Sequence, residues 1–350
     1  MRVYLILRRM PHHAARSGYD LLARHVAATP WSDDLLFRLT ARIGSRRLAR
    51  CKAIGTPWYT VESLRRELAI CARAALFPAN TVYHWLYAEN DVRVAPSWRW
   101  RWNNRFIASF HQPPEYLANH VADPTHVRGL NGVVVVSRSQ IPFFARLVSP
   151  QRIHHVPHGV DTEHWQPSAA ADRHATPTFL FVGAWLRDIE MAKATILRCA
   201  AERLPACFRV VTTREHVATF AGAPATTVMT GISDAQLLEE YQRAHALFLP
   251  LTMATANNAI LESMACGTGI ISTRTGGTPE YVAPDCGVLV PPADVEAAVS
   301  AITRACANRD FVEAMGAAAR RQALTFAWPR VGALQDAVYA RIARGDAAEA

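Results

Sequence analysis

Residues 249–280, LPLTMATANNAILESMACGTGIISTRTGGTPE, constrain the fold of this chain more than any other stretch. The short apolar run 246–250 ends at a proline and reads as a buried strand. Thr255, Asn257 and Asn258 are loop and cap formers. They lead into 259–265, where Ile260, Leu261, Met264 and Ala265 recur at helical spacing and Cys266-Gly267 supplies the stop. A second strand follows at 269–273, then a Gly276-Gly277 turn and a short helix from Thr278. Such a strand–loop–helix–strand unit presents amide N–H groups at the helix start, where a phosphate can sit. Glu262, one turn in, would repel a phosphate but can accept hydrogen bonds from sugar hydroxyls beside it. It would also complement a helix dipole with no ligand at all.

The run Ile260-Leu261-Glu262-Ser263-Met264-Ala265-Cys266-Gly267-Thr268, followed by Gly276-Gly277-Thr278-Pro279-Glu280, resembles the signature of family 4 retaining glycosyltransferases. The resemblance implies that Glu262 holds the ribose of a nucleotide-sugar, and that Asn257, Asn258 and Ala259 approach its diphosphate and sugar. The family carries an earlier Glu eight positions upstream, on hydroxyls of the transferred sugar. Here that position is Ala254.

Reading from the start, 3–7 is a short strand, followed by a loop containing Gly18 and a helix over 19–27, the opening of a Rossmann-like half. No GxGxxG is present, so a nicotinamide or flavin dinucleotide is not supported. In the resembling family the glycine at Gly18 lets backbone approach donor and acceptor; it would equally serve as a helix-start turn. Residues 31–75 read as helical and arginine-rich, with Arg38, Arg42 and Arg46 on one face beside an apolar stripe at Leu35, Leu36, Leu39 and Ile43. That stripe suits core packing or an anionic bilayer.

Residues 81–86 read as a strand containing His84, and 105–110 as another running into His111-Gln112-Pro113-Pro114. A histidine at a strand's carboxyl end is where α/β folds place chemistry. By resemblance His111 reaches the donor sugar beside the reacting carbon. Between these strands Trp98, Trp100 and Trp102 alternate with Arg99 and Arg101. That pattern fits a membrane interface, sugar stacking or one aromatic face of a half-buried segment; no nucleic-acid motif accompanies it. A strand at 132–137 and the family-like segment 153–161 close the first half.

A linker at 162–176 precedes a second Rossmann-like half, whose first strand, 179–182, ends at Gly183. The family follows this glycine with Arg, and later Lys, to neutralise the departing diphosphate. Ala184 takes the Arg place, leaving Arg187 and Lys193 further along for that work. Strand 208–213, the turn Gly231-Ile232-Ser233-Asp234 and helix 235–244 continue the alternation. Asp234 is the expected cap, and backbone at Gly231 and Ile232 resembles the base-binding edge. Strand 287–290 and helices 295–307, 311–324 and one from Trp328 finish the chain. The architecture expected is α/β, GT-B: two Rossmann-like domains (1–165, acceptor side; 166–327, nucleotide-sugar side) facing each other across a cleft. A carboxyl-terminal helix, 328–350, returns toward the first.

Seven cysteines, odd in number and without CxxC pairs, point to a reducing, cytoplasmic setting and away from structural zinc; no metal or other cofactor is expected. No apolar run is long enough to span a bilayer. The net charge of +9 is uneven: residues 1–165 hold 22 Lys/Arg against 11 Asp/Glu, and the rest 16 against 18. That asymmetry, unless it merely clothes solvated helices, implies an anionic partner, among them the inner membrane face, a lipid-linked acceptor or an acidic glycan. The function implied is transfer of a sugar from a UDP- or GDP-sugar to a glycan, lipid-linked or small acceptor. A catalytically reduced binding or scaffold protein is the alternative, motivated by Ala254. An epimerase or phosphorylase of the same architecture comes third, because Lys52 and Lys193 are the only lysines and neither has a pyridoxal setting.

Overall fold

The computed structural model describes residues 1–8, 16–32, 35–40, 58–77, 79–120, 124–168 and 173–344. Contacts divide the chain into two units. Met1–Pro11, Tyr19–His158 and Pro329–Ala350 form the first, and His12–Gly18 with Gly159–Trp328 the second.

Unit 1 is built on six strands: β1 (Arg2–Ile6), β2 (Thr29–Pro30), β3 (Thr81–Trp85), β4 (Arg105–Phe110), β5 (Gly132–Val135) and β6 (Ile153–His155). They lie in the order β2-β1-β3-β4-β5-β6, every pair parallel. Strands buried on both faces carry near-continuous apolar runs, and β3 and β5 are buried at every position. Thr81 and His84 are polar exceptions, and His84 is the one that titrates near neutral pH when free. Its ring nitrogens lie 2.7 Å from the Tyr339 hydroxyl and 2.8 Å from Ser109 Oγ. Burial pushes its pKa down to about 3, so it is a neutral core histidine that ties helix Trp328–Arg344 to the sheet.

The helix expected over 19–27 is replaced by a 3-10 turn, Tyr19–Arg24, leading into β2. Two competing bonds explain the change. The Ala27 amide donates to the Asp336 carboxylate at 3.0 Å, and Trp31 donates to the Leu5 carbonyl at 2.7 Å, drawing the chain out as a strand beside β1. Helix Val61–Leu76 is set by a reciprocal Thr60/Ser63 capping box. Of the expected arginine face, Arg38 sits on helix Leu35–Thr40; Arg42 and Arg46 lie outside the described residues.

Unit 2 repeats the plan with β7 (Thr178–Val182), β8 (Cys207–Val211), β9 (Thr226–Met229), β10 (Ala246–Leu249), β11 (Gly269–Thr273) and β12 (Gly287–Val290). Their order is β12-β11-β10-β7-β8-β9, again all parallel. From β7 the chain winds outward through β8 and β9, then returns to β10 on the other flank of β7. The direction of winding therefore reverses between β7 and β10, and ligands of open α/β sheets bind beyond the strand ends at such a reversal. Helix Asp234–Arg243 is capped by Ser233 and not by Asp234: Ser233 accepts from the Gln236 amide while the Gln236 side chain returns to the cap. A serine hydroxyl one residue earlier reaches that amide, and Asp234 becomes the first helical residue. Among the described residues no helix is long and apolar enough to cross a membrane, and no group of three or more His, Cys, Asp or Glu could hold a metal ion.

Candidate functional site

At the reversal in unit 2, β7 ends at Gly183 (φ 93°) and β10 at Leu249. The two following loops are stitched together: Asp188 donates to the Pro250 carbonyl (2.9 Å) and Thr252 to that of Leu186 (3.1 Å). Glycine suits this positive φ, and a Cβ here would also push the end of the Arg187 guanidinium, 2.9 Å away, aside. Arg187 is half-buried and curls back over the strand end, donating to the Val182 carbonyl at 2.9 Å and that of Trp185 at 3.0 Å. Burial pushes its pKa down to about 10, opposed by the charges of Tyr241 and Glu262. It therefore remains a cation at neutral pH, and its charge is felt at Glu262.

The loop after β10 is clasped by the glycine pair. The Gly277 amide donates to the Ala254 carbonyl at 2.9 Å, and a Cβ on Gly276 (φ 48°) would come within 2.0 Å of that oxygen. Asn257 then caps helix Asn258–Ala265, its Oδ1 accepting from the Ile260 amide at 3.3 Å. Helix geometry leaves the Asn258 and Ala259 amides without intrahelical partners.

Glu262 is buried on this helix. Its Oε1 accepts from the Ser17 hydroxyl and its Oε2 from the Tyr241 hydroxyl, at 3.0 Å for the latter. Desolvation pushes its pKa up to about 7, although both hydroxyls pull it back. A small cavity of about 10 Å³ opens here, lined by Ser17, Gly18, Gly159, Asn258, Glu262 and Trp328 among others. That is room for about one water molecule. Gly18 adopts φ 108°, reserved in practice for glycine.

Of the sequence candidates, Gly18, Asn258 and Glu262 thus meet at one cavity, with Arg187 within electrostatic reach of the carboxylate. Asn257 is spent on capping and Ala259 packs in the core. Lys193 lies in helix Ile189–Ala201 and does not line the cavity. Gly231 (φ 66°) and Ile232 form the turn before helix Asp234–Arg243 and do not line it either. Ser17 and Tyr241 were not legible as site residues, being 245 and 21 positions from the carboxylate they hold.

In unit 1, His111 follows β4 and is held from three sides. Its Nε2 donates to the Leu86 carbonyl at 2.7 Å. Its backbone amide and that of Gln112 donate to Glu89 Oε1 at 2.5 and 2.8 Å. The Tyr19 and Tyr87 rings lie 4.6 and 4.8 Å away, and His158 lies 6.3 Å away. Burial pushes the His111 pKa down to about 4, so the imidazole is neutral with Nδ1 carrying the lone pair. Glu89, buried and pushed up to about 7 by desolvation, was also missed by sequence reading. Nothing local marks it as the acceptor for a loop 22 residues away. A second small cavity, of about 20 Å³, is lined mostly by apolar side chains, among them Tyr59, Phe110, Leu117, Phe143 and Phe144, with Glu89, Arg93 and His126 also on its wall.

Residues 176–308 match the family model for glycosyl transferases group 1. The MMP alpha-(1->4)-mannosyltransferase of Mycolicibacterium hassiacum is 27% identical over 272 residues, covering 74% of this chain and 64% of that protein. This chain spans less than two thirds of the length of the curated relatives it matches. Among solved structures, a glycosyltransferase from Rickettsia africae superposes with a TM-score of 0.67 over 97% of this chain and 98% of its own, at 14% identity. Anabaena HepE in complex with UDP does so with a TM-score of 0.67 over 97% and 100%, at 10% identity. Residues 176–308 are thus similar to the glycosyl transferases group 1, and the two parallel α/β sheets give the chain the fold of the solved glycosyltransferase structures it superposes on.

Proposed function

We propose that this protein moves a glycosyl group from a UDP- or GDP-linked sugar to an acceptor hydroxyl with retention of configuration, the outcome its family 4 resemblance implies. The observation that carries the reading is the setting of Glu262. A buried carboxyl group one turn into a helix, beyond a topological reversal, already accepts from two hydroxyls. A ribose diol offers the same donors, so it can take their place without changing the chemistry the carboxyl group sees. The diphosphate then falls toward the Asn258 and Ala259 amides, with Arg187 and, from its helix, Lys193 as the cationic side chains of this unit's contribution.

In the reaction the anomeric C–O bond to the diphosphate breaks and a bond to the acceptor oxygen forms on the same face. The acceptor's proton passes to the leaving phosphate oxygen. Catalysis of this kind is positioning plus stabilisation of the departing charge. His111, neutral and with Nε2 committed to Leu86, would orient a sugar hydroxyl through Nδ1. UDP bound to the structurally similar HepE favours a uridine donor.

A nucleotide that binds the native form raises its melting temperature, so UDP or GDP is expected to shift the transition upward, and labelled donor to transfer or hydrolyse. His111→Ala should abolish transfer and spare nucleotide binding; loss of both would mean that the role given to His111 is wrong. A second reading, a protein that binds nucleotide without turnover, is favoured by Ala254. That residue is buried, and its carbonyl is occupied by the Gly277 amide. Nucleotide binding with no transfer across a broad acceptor panel would select it.

A further inference from the structure

The Trp/Arg alternation before β4 does the reverse of what a soluble segment does. Arg101 turns inward, donating to the Gly129 carbonyl at 2.6 Å, while its neighbours Trp100 and Trp102 are 64% and 62% exposed. Trp102 adopts φ 49°, a conformation that costs a non-glycine residue free energy. Its indole N–H is pinned to the Ala75 carbonyl at 3.0 Å, which sets it beside the end of helix Val61–Leu76. There Leu76 and Phe77 are 63% and 54% exposed.

The strand register places these groups on one edge of the first sheet. Arg2 pairs with Thr81 and Val82 with Arg105, so the amino ends of β1, β3 and β4 lie side by side. Arg2 and Arg99 are exposed there and Arg105 half-buried, and neither 76–81 nor 97–105 contains an acidic residue. β4 runs from this edge to Phe110, and His111 follows at the far end, so the patch is not part of the candidate site.

We propose that this edge is a docking face for an anionic lipid bilayer. Indoles settle at the headgroup level, aliphatic and phenyl groups enter the acyl boundary, and arginines without competing carboxylates attract anionic lipid. A contiguous exposed apolar patch of this kind marks an interaction surface. Leu76 and Phe77 beside the indoles suit an acyl boundary better than a stack of bases. The inference stands apart from the proposed reaction, since binding to lipid is read without any donor or acceptor.

The test is co-sedimentation of the full chain at low salt with vesicles of phosphatidylcholine alone or with about 30 mol% phosphatidylglycerol. The second variant position is chosen to fold: Trp100→Ser with Trp102→Gly places glycine where φ is positive. The protein is expected to partition onto anionic vesicles, with the paired variant weaker by about tenfold or more. Arg99→Ala with Arg105→Ala should lose the preference for anionic over neutral vesicles. Equal binding by the paired tryptophan variant overturns the proposal, as does no binding to anionic vesicles. So does finding that the tryptophans instead support self-association or capture of a single-stranded RNA probe.

Discussion

Each unit buries a carboxyl group beyond the carboxyl ends of its strands, and the two differ in what they hold. Glu262 accepts from two side-chain hydroxyls, Ser17 and Tyr241, whereas Glu89 accepts from two backbone amides, His111 and Gln112. Desolvation pushes both up to about 7. Burial dominates at both, and the donors separate them. A side-chain hydroxyl can be exchanged for a ligand hydroxyl by a rotamer change, while a backbone amide cannot leave without moving the chain. Under the proposed function the first would receive a ligand, while the second fixes a loop.

The sharpest way to break that contrast is to remove each in turn. Glu262→Ala should weaken nucleotide binding about 10- to 100-fold, the worth of hydrogen bonds to a charged acceptor, as read by calorimetry with UDP or GDP. Retained affinity would reduce Glu262 to a helix-end residue. Glu89→Ala leaves two amides without their acceptor and should cost about 1–3 kcal/mol of stability, measured by urea unfolding. Its nucleotide affinity should stay within about threefold, a change worth less than one ordinary hydrogen bond. If instead Glu89→Ala unfolded nothing and abolished nucleotide binding, the roles assigned to the two would be reversed.

Acidity gives a second handle. Glu67, Glu89 and Glu262 have folded pKa values raised to about 7 from 4.5. The native state therefore binds more protons between those values, and their contribution, full below pH 4.5, is lost as pH rises to 7. His111 and His154, lowered to about 4 from 6.5 by burial, act oppositely: their contribution is full above pH 6.5 and lost as pH falls to 4. The two trends oppose one another from 4.5 to 6.5. Glu262→Gln removes one carboxyl group from the first set, so its melting temperature relative to the unaltered protein should climb across pH 5–7. If only ionised Glu262 receives a ribose diol, nucleotide affinity should fall about tenfold between pH 8 and pH 6; a flat profile would show that the neutral form binds as well.

How much of this was legible in the sequence also divides by unit. In unit 2 the strand–loop–helix–strand run from β10 to β11 is contiguous, so apolar periodicity, Asn257 and the Cys266-Gly267 stop placed helix Asn258–Ala265 within one residue. β9, with no fully buried position, carries too weak a pattern to read. In unit 1 strands β1, β3, β4 and β5 were legible, but the short β2 and β6 and the turn Tyr19–Arg24 were not; the bonds that end the turn come from Leu5 and Asp336. The site residues follow the same rule. Glu262 and His111 sit in local motifs, whereas Ser17, Tyr241 and Glu89 act through distant partners that no window along the chain contains.

Ser17 offers the finest division between receiving and fixing. Its hydroxyl bonds to the very oxygen, Oε1, that an incoming ribose would need. In Ser17→Ala that bond is absent before and after binding, so the ligand no longer competes with it. The folded state should lose about 1 kcal/mol, the ordinary net worth of one hydrogen bond. If the ribose diol displaces Ser17, that same loss is recovered on binding, and UDP or GDP should bind up to about fivefold more tightly, the equivalent of about 1 kcal/mol. If Ser17 instead fixes Glu262 for the ligand, affinity should fall by a similar factor while stability drops equally. Unfolding midpoints and calorimetric affinities on the same variant separate the two, because only displacement moves stability and affinity in opposite directions.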